Sequence, residues 1–136
     1  MSRTLVICKP DAVERGLVGE ILGRFERKGL KLVASELRLL DPELLGRHYE
    51  EHVGKGFYAD LVAFMSRSPA LVAVIEGPDD TFAIVRSMMG PTNPASAPSG
   101  TVRGDLGTTT TENLVHGSDS NESAEREIGI FFPGLA

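Results

Sequence analysis

Thr4-Leu-Val-Ile-Cys8, followed at once by Lys9-Pro10-Asp11, sets the reading of the whole chain. A short apolar run rich in β-branched residues and closed by Lys-Pro-Asp predicts a buried strand ending in a turn. Val18, Ile21, Leu22 and Phe25 then recur at helical spacing, with Glu20, Arg24 and Lys28 elsewhere on the cylinder, so an amphipathic helix follows. Gly29 ends it. From Leu30 to Leu40 apolar and polar positions partly alternate, as in a half-exposed second strand.

Further along, Asp41-Pro42-Glu43 is a helix start, with Asp placed to cap, Pro tolerated at the first helical position and Glu favoured near the positive end. That helix is expected to carry His48, Tyr49 and His52. Gly54 and Gly56 interrupt it, and helical periodicity resumes from Phe57 to Met65, which predicts a helical hairpin. Ala70–Ile75 is another apolar strand, and Gly77-Pro78-Asp79-Asp80 opens a helix with Phe82, Val85 and Met89 on one side. The 23 residues from Gly90 to Glu112 hold three prolines, four glycines and a Thr108–Thr111 run, and they read as a long functional loop. Asn113–His116 reads as a short strand, Asp119 or Ser120 as the cap of a helix through Glu127, and Ile128–Phe132 as a last apolar run. The order suits an α+β sandwich of the split βαβ type, an antiparallel sheet covered by helices, in one domain spanning 1–136.

Composition narrows the function. A net charge of -5 argues against a broad nucleic-acid surface, which would need Lys and Arg to neutralise phosphates. Cys8 is the only cysteine, so no intrachain disulfide framework forms, and a reducing, cytoplasmic setting is expected. The N-terminal apolar run is too short for a secretory signal, and no segment reaches the length of a membrane span.

Several motifs fail or compete. No P-loop cradle is present, and Gly54-Lys-Gly-Phe-Tyr-Ala59 follows a predicted helix instead of a strand, so a dinucleotide fold is rejected. His48-Tyr-Glu-Glu-His52, read as His-x-x-Glu-His with Glu51 as the acid, matches the pattern of inverted zinc proteases, with two imidazoles on one helix but no third ligand in view. His116-Gly-Ser118-Asp119 has the residue types of a hydrolytic triad, yet triads assemble from separated segments.

Asn113-Leu-Val-His-Gly-Ser-Asp-Ser120, followed by Glu122-Ser-Ala-Glu-Arg-Glu127, strongly resembles the active-site signature of nucleoside diphosphate kinases. Leu5–Asp11, Arg15–Glu20, Thr92-Asn-Pro-Ala95 and Gly100–Asp105 join it in family order, so the resemblance covers nearly the whole chain. It implies a ferredoxin-like αβ sandwich and a ping-pong transfer of the terminal phosphoryl group from a nucleoside triphosphate, typically ATP, to a nucleoside diphosphate. The carrier would be phosphorylated His116, with Glu127 on the other ring nitrogen and Ser118 supporting that carboxylate. Such an orienter fixes the tautomer and ring angle of an imidazole nucleophile.

The same resemblance puts Arg86, Arg103, Thr92, Tyr49 and His52 on the phosphates. It puts Lys9 and Asn113 on the sugar hydroxyls, with Lys9 also near the transferred group, and Phe57 under the base. Phosphoryl transfer is mainly positioning and charge neutralisation, which suits these residue types. Mg2+ is expected to arrive on nucleotide phosphates and water, with no dedicated protein metal site. Homo-oligomers are implied, a hexamer before a tetramer. Cys8, Pro91 and Ser99 depart from the usual family residues without removing a matched site side chain. The alternatives are a catalytically silent nucleotide-binding member and the zinc hydrolase using His48, Glu51 and His52.

Overall fold

A computed structural model describes residues 1–135, so Ala136, the last residue of the expected domain, lies outside the described residues. β1 (Ser2–Cys8) is the strand expected near the start, and it runs inside a four-stranded antiparallel sheet. On one side β3 (Ala70–Gly77) pairs with it, Ser2 opposite Gly77 and Cys8 opposite Leu71. On the other, β4 (Val115–Gly117) places His116 opposite Ile7. β2 (Lys31–Arg38) adds to the far side of β3, giving the order β2-β3-β1-β4. Split βαβ topology of this kind is the ferredoxin-like α+β fold.

Alternation along β1 explains why its sequence is apolar at consecutive positions. Val6 and Cys8 enter one core with Ile21, Phe25, Val85 and Met89, while Leu5 and Ile7 enter another with Leu45, Met65, Ile128 and Phe131. A strand covered on both faces has no polar side to show. β2, at the sheet edge, keeps the partial alternation expected of it and leaves Leu37 60% exposed.

The first core is roofed by α2 (Val18–Arg27) and α5 (Thr81–Met89), the second by α3 (Pro42–His48), α4 (Tyr58–Met65) and α7 (Asn121–Phe131). Asp41 caps α3 by accepting from the Leu44 amide at 2.8 Å, and Ser120, not Asp119, caps α7 through the Ser123 amide. Capping of this sort is worth about 1 kcal/mol.

Local expectations differ from the structure at several points. Lys9-Pro10-Asp11 is not only a turn: Pro10 starts a one-turn helix, α1 (Pro10–Glu14), since proline suits the first helical position. α3 stops at His48, Tyr49 links it to a 3-10 turn (Glu50–His52), and His52 ends that turn, so His48 and His52 do not share a continuous helix. The zinc-protease pattern thereby loses the helical geometry it depends on. Within the long loop lie a 3-10 turn, Pro94–Ser96, and a helix, α6 (Val102–Leu106), capped by the Thr101 hydroxyl on the Gly104 amide. Asp80 sits left-handed at φ 61 and offers no side-chain cap to α5. The last strand starts at Val115 because Leu114 adopts φ 76, and the run from Ile128 continues α7.

Gly104 shows how tightly the long loop is folded. A Cβ there would overlap the Pro98 carbonyl, a backbone atom with little freedom to retreat. Gly104→Ala should therefore destabilise the protein by about 2 kcal/mol or more. Thermal unfolding of the variant checks this; an unchanged midpoint would mean that the loop yields freely.

Candidate active site

His116 projects from the middle of β4, backed by β1, with its side chain 21% exposed. Its Nε2 lies 2.9 Å from Glu127 Oε1 on α7, and the Ser118 hydroxyl donates to the same oxygen at 2.8 Å. Ser118 is itself pinned, because its Oγ accepts from the Leu5 amide at 3.3 Å and its own amide donates to the Leu5 carbonyl at 3.2 Å. Burial works to raise the Glu127 carboxyl, but the hydrogen bond and charge of His116, the nearby His48 and the Ser118 hydroxyl leave it below its ordinary value. A carboxylate held ionised against Nε2 favours the Nε2–H tautomer, and among the described residues nothing hydrogen-bonds Nδ1. The lone pair on Nδ1 is then the one available for chemistry.

Lys9, Asn113 and Thr92 form a hydrogen-bonded chain just past the end of β1. Lys9 Nζ donates to Asn113 Oδ1 at 2.8 Å, and Asn113 Nδ2 donates to the Thr92 carbonyl at 3.1 Å. These three line a cavity of about 410 Å³ whose other wall carries Phe57, Phe64 and Arg67. Phe57 is 51% exposed at the start of α4, an aromatic face turned out of the core and open to a planar ligand. Burial, with Arg103 nearby and Asp11 opposing, lowers the Lys9 ammonium to about 8. A bound phosphate favours the protonated amine, so binding should weaken as pH rises through about 8. Nucleotide KM is expected to climb about tenfold between neutral and mildly alkaline pH, and Lys9→Met should flatten that rise. Parallel profiles for both proteins would place the titration elsewhere.

Arg103 is more committed than its sequence suggested. Only 7% exposed, it donates from Nε to the Asn113 carbonyl at 3.2 Å, from Nη1 to Gly90 at 2.8 Å and from Nη2 to Val115 at 2.6 Å. Three of its five N–H groups thus staple the long loop to β4, leaving two for a ligand. Burial and the proximity of Arg86 both lower its pKa. Arg86, exposed on α5, donates to the Gly117 carbonyl at 2.8 Å, next to His116. Tyr49 and His52, at the two ends of the link from α3 through the 3-10 turn, stack at 5.9 Å, and His52 meets the Phe57 ring edge at 5.3 Å. Burial and then Glu127 raise the Tyr49 phenol, keeping it a neutral donor.

Of the residues that the sequence nominated, Tyr49, His52, His116 and Glu127 line one cavity and Lys9, Phe57, Thr92 and Asn113 another, while Arg86 and Arg103 both hydrogen-bond the backbone of β4. The sequence model of the family described as "Nucleoside diphosphate kinase" matches residues 2–135. The chain belongs to the nucleoside diphosphate kinase family. A nucleoside diphosphate kinase of Thermobifida fusca is 53% identical over 136 residues, covering 100% of both chains. One from Listeria monocytogenes is 53% identical over 132 residues, 97% of this chain and 89% of the relative. Among solved structures, a nucleoside diphosphate kinase family protein from Babesia bovis superposes with a TM-score of 0.95 at 43% identity, covering 99% of this chain and 90% of that one. A halophilic nucleoside diphosphate kinase from Halobacterium salinarum in complex with CDP gives 0.90 at 45% identity, covering 96% and 87%. The protein is a phosphotransferase of this family.

Nucleoside diphosphate kinases need a divalent cation. Among the described residues, the one group of three or more His, Cys, Asp or Glu side chains with converging ligand atoms is His48, His116 and Glu127. Two nitrogens and one oxygen do not make the octahedral oxygen shell that Mg2+ demands, so the protein supplies no cage for that ion there. No helix among the described residues is long and apolar enough to cross a membrane.

Two neighbours of the site carried no site role in the sequence reading. His48, noticed there only for the zinc pattern, lies 4.7 Å from the His116 ring in an edge-on contact and packs against Tyr49 and Phe131. Arg67 lies over the Phe64 ring at 4.9 Å and bridges Glu14 and Glu112 at 2.7 and 3.0 Å, tying the end of α4 to the loop that leads into Asn113. Arg67 had no periodicity or motif of its own; only the fold brings Glu14, Arg67 and Glu112 together.

Proposed function

We propose that the protein, as one domain over residues 1–136, transfers the terminal phosphoryl group between nucleotides by ping-pong, with His116 Nδ1 as the covalent carrier. The observation that carries this reading is the His116 Nε2 to Glu127 contact, which leaves Nδ1 as the nitrogen without a hydrogen-bond partner among the described residues. In the first half-reaction the Nδ1 lone pair attacks the terminal phosphorus of the donor, typically ATP. The bond from that phosphorus to the bridging oxygen breaks, and the diphosphate leaves with the electron pair. The ring gains positive charge as Nδ1 is substituted, and Glu127, steadied by Ser118, stabilises it through Nε2–H. A second diphosphate then reverses the step: its terminal oxygen attacks the phosphorus and the N–P bond breaks.

Lys9, Arg86 and the two uncommitted donors of Arg103 neutralise phosphate charge, with Tyr49, His52 and Thr92 as further donors. Lys9 and Asn113 take the sugar hydroxyls, and Phe57 takes the base by stacking. Mg2+ is the expected divalent ion and enters as part of the nucleotide substrate. The setting is cytoplasmic and the assembly a homo-oligomer; support for the latter is the open edge of β2, where Leu37 and, just past the strand's end, Leu39 are 60% and 61% exposed.

The test is intact-protein mass after incubation with Mg-ATP and again after adding GDP. A gain of one acid-labile phosphoryl group, discharged by GDP, is expected. Rapid transfer by a protein that never gains mass would mean direct transfer between two bound nucleotides.

A further inference from the structure

We propose that Arg67 is a positioning residue for the nucleoside end of the substrate: by clamping Glu14 and Glu112 together it holds residues 108–112 in place and so sets the shape of the cavity that takes base and sugar. The inference rests on the reading above that this cavity binds the nucleoside. One side of the cavity is α4, through Phe57, Leu61 and Phe64, and another is the end of the long loop, through Thr110, Thr111 and Asn113. Asn113 is anchored independently, by Lys9, by the Thr92 carbonyl and by Arg103 on its own carbonyl. The run before it is not. Residues 108–112 are exposed and form no helix or strand, and apart from the Glu112 carboxylate their one hydrogen bond is local, from the Glu112 amide to the Thr109 hydroxyl at 3.2 Å. An exposed segment with so few contacts opens at little cost unless something outside it holds it.

Arg67, in the turn between α4 and β3, supplies that hold. Its Nη1 and Nη2 donate to the two oxygens of Glu112 at 3.2 and 3.0 Å, and its Nε and Nη2 donate to the two oxygens of Glu14 at 3.1 and 2.7 Å. One planar guanidinium thus grips two carboxylates at two points each, a geometry that a lysine could not reproduce. The Phe64 ring, 4.9 Å from the guanidinium carbon, seats the group, and the Ser68 hydroxyl donates to Glu14 at the end of α1. Among the described residues, the hydrogen bonds that cross from α4 and the turn after it to residues 108–113 are those of Arg67 with Glu112. A single exposed ion pair is weak, but here two bidentate pairs share one cation that rests on an aromatic face. Ordering a binding segment before the ligand arrives lowers the cost of binding, so the clamp acts on affinity and leaves the transfer step at His116 alone. A plain charge effect has the opposite sign at Glu112, because removing that carboxylate would ease the approach of a polyanionic nucleotide. Loss of the clamp weakens binding whichever partner is removed.

Calorimetric binding of Mg-ADP to the full-length protein, together with steady-state transfer, tests the clamp. Arg67→Gln and Glu112→Gln are each expected to weaken Mg-ADP binding and raise nucleotide KM by about threefold to tenfold, with kcat within about twofold of wild type. The double variant should lie within about twofold of either single one, because the second substitution removes a partner already lost. Circular dichroism checks folding, and Glu112→Gln decides alone if Arg67→Gln does not fold. Tighter binding in Glu112→Gln, additive losses in the double variant, or a fall in kcat at unchanged KM overturns the clamp. Phe57→Ala, measured alongside, separates the clamp from the reading on which it rests. Weakened binding is expected there; unchanged binding overturns the place of the nucleoside in this cavity and the role of Arg67 with it. Weakened binding in Phe57→Ala with wild-type affinity in both clamp variants overturns the clamp alone.

Discussion

His116→Ala is expected to leave a folded protein that gains no mass with Mg-ATP and transfers phosphate to GDP at least about a thousandfold more slowly than wild type. The strand around it is held by backbone pairing to β1, with Val6 opposite Gly117 and Cys8 opposite Val115, so the imidazole is not needed to keep β4 in place. Its removal takes away the acceptor of the covalent intermediate, and the surrounding cations can position two nucleotides without providing a substitute. Mass spectrometry with a coupled transfer assay measures both effects. Transfer within tenfold of wild type would remove His116 from the mechanism.

Arg103→Met is expected to cost about 3–5 kcal/mol of stability as well as nucleotide affinity. The substitution keeps an unbranched chain of similar length but takes a charged donor from the carbonyls of Gly90, Asn113 and Val115, of which Asn113 keeps the Val115 amide at 2.9 Å. At about 3–5 °C per kcal/mol for a chain of this size, the unfolding midpoint should fall by about 10 °C or more. Arg103→Lys returns one donor without the planar fork and should recover only part of the loss. A variant with the wild-type midpoint and weak nucleotide binding would make Arg103 a phosphate ligand alone.

What the sequence made legible follows from the range of the interactions concerned. β1, β3, α2 and the capped start of α3 are written in consecutive residues: apolar runs, a period near 3.6, and Asp41-Pro42. The clustering of Lys9, His116 and Glu127 was legible only through the family pattern, since residues more than a hundred positions apart share no local signal. The end of α3 at His48, the helix inside the long loop and the left-handed Leu114 were not legible. Each is decided by tertiary contacts: the packing of His48 against His116 and Phe131, and the Arg103 staple that folds the loop onto β4. Arg103 was legible as a cation in a motif, but its structural commitments depend on carbonyls brought near by the fold.

The double hydrogen bond between Ser118 and Leu5 ties the residue that steadies Glu127 to the centre of the innermost strand. Amides in such a position exchange with solvent only when the whole sheet opens. The catalytic geometry therefore has no soft intermediate state of its own: the hydrogen-exchange protection of Leu5 and the capacity to carry phosphate should vanish together on heating. Residual phosphorylation competence becomes, in this protein, a direct reading of the fraction of molecules whose sheet is closed.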